Sequence, residues 1–192
     1  MKNYATLFIV VLAILFSSCE KIKDATAVDI DTELNANIPV STINPEAIVV
    51  KSTKITADEF SFGGSSTFSL ADNDELVEYI DNIREIKAKD GTVLSFIGAV
   101  AGNKILTLTL HYGFQTGDAA PTMIKVFSIP SELLENEGLI EFYADAWTTA
   151  LMSNLEANKD KTVHFELNGT SNYDVQTTVK LKVPMIVSAS PL

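Results

Sequence analysis

The stretch Val175-Gln176-Thr177-Thr178-Val179-Lys180-Leu181-Lys182-Val183 decides the fold. Its odd-numbered and even-numbered residues differ in character, and in an extended chain they point to opposite faces. Val175, Thr177, Val179, Leu181 and Val183 share one face, while Gln176, Thr178, Lys180 and Lys182 share the other. That is the pattern of a half-buried strand. Pro184 follows, lacks an N–H and is expected to break the ladder there.

The same period recurs along the chain. Val28, Ile30, Leu34, Ile38 and Val40 share one parity between Asp29, Asp31 and Glu33. That run is long, so a bend or split is expected across Asn35 to Pro39. Ala47 to Thr56 is a second β candidate. Leu106, Leu108, Leu110 and Tyr112 alternate with Thr107, Thr109 and His111, and Val163, Phe165 and Leu167 alternate with His164 and Glu166. Met123 to Ile129 is apolar on both parities and reads as a central strand.

Two stretches change to helical period. Asp72 is an expected N-cap, with Glu75 as its capping-box partner and Leu76, Ile80 and Ile83 on one face behind it. From Ala144 to Asn158, Trp147, Leu151 and Leu155 recur at i, i+4 and i+8, a core-facing stripe. A brief turn is expected over Ser131 to Asn136, after Pro130. Asp90-Gly91 predicts a two-residue hairpin, and Gly102-Asn103 predicts the next reversal. Asn168-Gly169 is a further turn candidate, with Thr170 to Asp174 as the alternative place. Gly63-Gly64-Ser65-Ser66, between Phe60, Phe62 and Phe68, reads as a flexible loop, since no phosphate-loop Lys-Ser or Lys-Thr follows. The expected fold is mainly β (α+β): a two-sheet β-sandwich of roughly eight strands with two short helices.

The N-terminus carries a different message. Lys2 supplies a positive start, Tyr4 to Phe16 an apolar run, and Phe16-Ser17-Ser18-Cys19 a cleavage box. The run is too short for the roughly 20 residues of a spanning helix. Cys19 is the only cysteine. Residues 1–18 therefore read as a signal peptide, 19–27 as a lipidated cysteine with a short tether, and 28–192 as one β-rich domain. The tether Glu20 to Ala27 reaches about 25 Å when extended, at about 3.3 Å per residue.

These residues resemble bacterial envelope lipoproteins that join a lipobox to a single β-rich domain. The resemblance implies removal of Met1 to Ser18 and a palmitate-bearing, diacylglyceryl-modified Cys19 that holds the protein in the bilayer. Phe16 departs from the usual aliphatic residue three places before the cysteine. The expected location is the bacterial cell envelope, anchored at the outer membrane on its periplasmic or surface face. The Val163 to Val183 region is also similar to the closing hairpin of immunoglobulin-like sandwiches, and that similarity brings no functional residues with it.

Composition narrows the function classes. The formal net charge is −11, from 14 basic and 25 acidic residues. Such a surface repels phosphates, which argues against nucleic acid. With the sole thiol acylated, a disulfide, a cysteine nucleophile and a cysteine-held metal are all excluded. Only two histidines are present, too few for a three-histidine metal site.

Four constellations merit weighing. Asp29, Asp31 and Glu33 stand about 6 to 7 Å apart on one strand face; oxygen ligands of this kind bind calcium, but without a glycine-bearing loop they read as a solvated face. Asp72-Asn73-Asp74-Glu75 is explained by helix capping rather than by calcium. His111 and His164 lie on polar parities with no Gly-x-Ser-x-Gly elbow, and read as surface imidazoles. Asn168-Gly169-Thr170 matches a glycosylation sequon, which carries little weight in a bacterial lipoprotein.

Tyr112 and Phe114 flank Gly113 and lead into the loop Gln115 to Thr122, the longest polar-to-small stretch after the tether. Loops on rigid β scaffolds are where binding concentrates. Tyr112, Phe114, Gln115 and Asp118 are therefore the candidate binding residues; no catalytic residue, metal ligand or cofactor is assigned. The expected function is a non-catalytic binding or adhesion module, its partner an envelope protein or glycan. The alternatives are an assembly subunit of an envelope complex and a carboxylate-based hydrolase.

Overall fold

Two long strands form the spine of the molecule. β1 (Val28–Thr42) and β10 (Gln176–Ala189) pair antiparallel from Val28 opposite Ala189 to Ser41 opposite Gln176. On β1 the residues Leu34, Ala36, Ile38 and Val40 are buried, matched on β10 by Val179, Leu181, Val183, Met185 and Val187. The expected split over Asn35 to Pro39 does not occur, because β10 backs β1 through that whole stretch.

The computed structural model describes residues 27–43, 59–100, 103–115, 119–129, 132–133, 138–142 and 146–190. Within these, the remaining strands are β2 (Phe60–Phe68), β3 (Ile83–Ala88), β4 (Thr92–Phe96), β5 (Lys104–Phe114), β6 (Ile124–Ile129), β7 (Glu132–Leu133), β8 (Leu139–Phe142) and β9 (Val163–Ser171). One α-helix, α1 (Ala146–Ala157), is described. Cys19, the tether through Thr26 and the Ala47 to Thr56 candidate lie outside the described residues.

The strands form one connected sheet in the order β6-β5-β9-β2-β1-β10-β4-β8, with β3 also on β10 and β7 also on β5. Every pairing is antiparallel. The mainly β class is as expected; the two-sheet sandwich is replaced by a single curled sheet, a half-barrel. Phe62 on β2 and Phe96 on β4 stand three strands apart, about 14 Å on a flat sheet, yet their rings meet edge-on at 6.4 Å. Curling brings them together.

α1 lies against the concave face and bridges distant parts of the sheet. Trp147 packs on Phe127 of β6 at 5.9 Å between ring centroids. Asn154 Nδ2 donates to the Tyr112 hydroxyl on β5 at 2.9 Å, and the Ile86 N–H of β3 donates to Glu156 Oε2 at 3.2 Å. Trp147, Leu151 and Leu155 are buried, as their spacing predicts. Each such leucine contributes about 2 kcal/mol by leaving water.

Several local expectations are corrected. The stretch after Asp72 is not an α-helix but a chain of turns, 3₁₀ at Leu70–Asp72 and Ile80–Asn82. Leu70 and Leu76 are both drawn into the core, six residues apart, a spacing that one straight helix face does not serve. The capping side chains are others than Asp72: Ser69 Oγ accepts from the Ala71 N–H, and Asn73 Oδ1 accepts from the Glu75 N–H. Glu132–Leu133, expected as a turn, pairs with Lys104 and Ile105, while the rest of Ser131 to Asn136 lies outside the described residues.

Gly63 to Ser66 is not a loop but the middle of β2. A Cβ on Gly64 would stand 2.0 Å from the Pro39 carbonyl oxygen, so glycine there answers a close backbone approach. Asn168-Gly169 likewise sits inside β9, and the chain turns after Ser171. β9 and β10 do not form a hairpin, because β2 and β1 lie between them. The immunoglobulin-like comparison loses its footing with that hairpin.

Asp90-Gly91 is not a hairpin either. β3 and β4 lie end to end along β10, with Ala88 opposite Met185 and Val93 opposite Lys182. Four residues, Lys89 to Thr92, thus stand opposite two, Val183 and Pro184. The Lys89 N–H donates to the Pro184 carbonyl, so the proline's missing N–H faces this same interruption. β10 therefore continues through Pro184 to Ala189.

β6, expected as central, pairs only with β5 among the described residues, and Ile124 is half exposed. A bulge between Ile105 and Thr107 on β5 buries Ile105 in place of Leu106.

Candidate functional site

β2 pairs with β9 along its whole length but with β1 only from Val40 to Thr42. From Val28 to Pro39, β1 has no strand partner on its β2 side among the described residues. An open cleft of about 690 Å³ lies in this wedge. Asp31, Glu33 and Asn35 of β1 form one wall and Thr67 and Phe68 of β2 another, with the Asp72–Glu75 corner crossing between them. Lys89 and Pro184 complete the lining at the interruption beside β10.

The two acidic stretches singled out in the sequence thus come together. The link is Asn73, whose Nδ2 donates to Thr32 Oγ1 at 3.0 Å and to the Glu33 carbonyl at 3.5 Å. Sequence reasoning treated Asp29 to Glu33 and Asp72 to Glu75 as separate surface features. Nothing local in either stretch signals their meeting.

The β1 carboxylates are individually partnered. Asp29 accepts from Ser188 Oγ at 2.5 Å, Asp31 pairs with Lys89 at 2.9 Å, and Glu33 pairs with Lys182 at 2.5 Å. Asn35 Nδ2 also donates to Glu33 Oε1 at 2.9 Å. Partial burial works to raise the Glu33 carboxyl, but the Lys182 and Asn35 hydrogen bonds and the charges of Lys182 and Lys180 outweigh it. The net effect holds Glu33 below the usual carboxylate range. Asp72, Asp74 and Glu75 are exposed and have no ion-pair partner among the described residues.

The residues expected to bind lie elsewhere, toward the β5 and β9 side of the sheet. Tyr112 is buried at 3 % exposure and its hydroxyl accepts from Asn154, which makes it part of the core. Phe114 packs edge-on against Tyr112 at 6.0 Å and is partly buried against the core. Gln115 Oε1 meets His164 Nε2 at 2.8 Å, a pairing that the alternation of β9 alone does not reveal. Asp118 lies outside the described residues.

His111 stands opposite Glu166 on β9, with its Nδ1 buried and without a hydrogen-bond partner among the described residues. Among those residues, no three His, Cys, Asp or Glu side chains are grouped to hold a metal ion. No described helix is long and apolar enough to cross a membrane. What the wedge offers chemically is fixed negative charge beside an open strand edge. No protein-family model and no curated protein matches this chain.

Proposed function

We propose that the protein is a bacterial envelope lipoprotein, held at the outer membrane by acylated Cys19, that works as a non-catalytic binding or adhesion module. The observation that carries the binding reading is the wedge-shaped cleft between β1 and β2. Its two strand walls are each held by a ladder on their far side, β1 by β10 and β2 by β9, so a ligand would meet a preformed surface. Glu33, held ionised by Lys182 and Asn35, serves charge recognition better than proton donation, which needs a raised pKa. The partner is an envelope protein or a glycan.

Two experiments test the reading. Mass spectrometry of the mature N-terminus should find acylated Cys19, and Cys19→Ala should move the protein from the membrane to the soluble fraction. A Cys19→Ala variant that stays in the membrane fraction would sink the anchor. Glycan arrays and pull-downs after mild detergent extraction should then give a ligand whose retention falls when Asp74→Asn and Glu75→Gln are combined. A ligand held equally well by that variant binds elsewhere, and clean negatives in both assays count against binding altogether.

A further inference from the structure

The cleft is bordered by a strand edge as well as by charge. The Glu33 carbonyl accepts from Asn73 on the side away from β10, and the Pro39 carbonyl points toward Gly64 of β2. Backbone groups alternate in direction along a strand. Asp31, Glu33, Asn35 and Asn37 therefore turn their main-chain groups toward the wedge. Among the described residues, the Glu33 carbonyl alone of these groups has a side-chain partner, Asn73 at the long distance of 3.5 Å.

We propose that this edge of β1 accepts an extended basic segment of a protein partner, added as a strand in the wedge. The inference rests on the binding reading above and names its ligand class. Main-chain pairing would supply affinity, and alternate side chains would supply selectivity. On the outer face the added strand would run beside Asp31 and Glu33, and near Asp74 and Glu75. Lys89 and Lys182 pair with Asp31 and Glu33, and Lys180 adds a more distant positive charge, while Asp74 and Glu75 have no ion-pair partner among the described residues. Lysine or arginine at every second position of the partner matches that face. The intervening positions would turn toward Phe68 and the buried side of β1, and suit apolar residues. Asn73, donating to the Glu33 carbonyl, holds the place that an incoming backbone N–H would take.

The probe is a synthetic peptide of alternating lysine and valine, titrated against the full chain at low salt. Binding should protect the amides of Asp31, Asn35 and Asn37 from hydrogen exchange. Asp74→Asn and Glu75→Gln should each weaken it roughly two- to fivefold, the worth of a cross-strand charge pair. N-methylation of alternate peptide amides, which keeps charge and removes donors, should abolish it. Binding that survives N-methylation is charge attraction alone and overturns the proposal, as does an absence of amide protection. A native partner retained by the protein but indifferent to both variants would leave the binding reading standing and sink this one.

Discussion

Gly64 has no side chain because β1 leaves no room for one. An added Cβ would overlap the Pro39 carbonyl at 2.0 Å, and that neighbour is backbone held by the β10 ladder. Gly64→Ala should therefore destabilise the protein by about 1 to 3 kcal/mol, the usual cost of overpacking. Urea unfolding would measure it, and an unchanged midpoint would mean that β2 shifts freely. Glu33 makes a second residue-scale test. Its folded pKa is lowered, so its contribution is complete above the ordinary carboxylate pKa and is lost as pH falls through the folded value. Glu33→Gln should flatten that part of the acid limb while leaving the region near neutral pH almost parallel to wild type. Glu33 is partly solvent-exposed, so the effect should be a fraction of a kcal/mol, within the range of about 0 to 1 for such pairs.

At the scale of elements, β10 shows how a proline is carried by a central strand. Even-numbered residues of β10 face β3 and β4, as the bonds from Lys89 to Pro184 and from Ile97 to Thr178 establish. The N–H that Pro184 lacks would meet the Lys89 carbonyl at the last rung before the interruption, so the ladder loses one bond at an end and none in its middle. Pro184→Ala, which restores at most that one end-of-ladder bond, should change stability by no more than about 1 kcal/mol. Val179 faces β1 opposite Ile38 inside an unbroken ladder. Val179→Pro should cost about 3 kcal/mol or more, by lost pairing and ring clash. Equal effects of the two substitutions in denaturant titrations would refute this account of the interruption.

On the scale of the whole molecule, α1 and the curled sheet share one hydrophobic core. Trp147, the only tryptophan, sits between helix and sheet against Phe127. Unfolding followed by tryptophan fluorescence should therefore coincide with unfolding followed by far-ultraviolet circular dichroism. Separate midpoints would mean that α1 detaches before the sheet opens. The proposed anchor lies at the end of the chain nearest Val28, three residues before Asp31. A tether of about 25 Å would keep the cleft close to the bilayer, an arrangement suited to a partner that is itself membrane-associated.

Period-two alternation by itself determined that β1, β5, β9 and β10 are strands, and most of the face that each buries, because side-chain direction is a local property of an extended chain; the bulge that buries Ile105 in place of Leu106 was not legible in it. The i, i+4 spacing of Trp147, Leu151 and Leu155 determined α1 for the same reason. Only the tertiary structure decided that Asp90-Gly91 bulges instead of turning, since β3 and β4 both pair with β10, far away in sequence, and not with each other. It also decided that Gly63 and Gly64 belong to a strand, that β9 and β10 are kept apart by β2 and β1, and that the sheet curls around α1. The cleft was legible only in its halves. Asp29 to Glu33 and Asp72 to Glu75 were visible as acidic runs, but their meeting depends on β2 leaving β1 after Gly64 and on Asn73 reaching Thr32. Strand order and divergence arise from competition among non-local pairings, for which a local pattern carries no information.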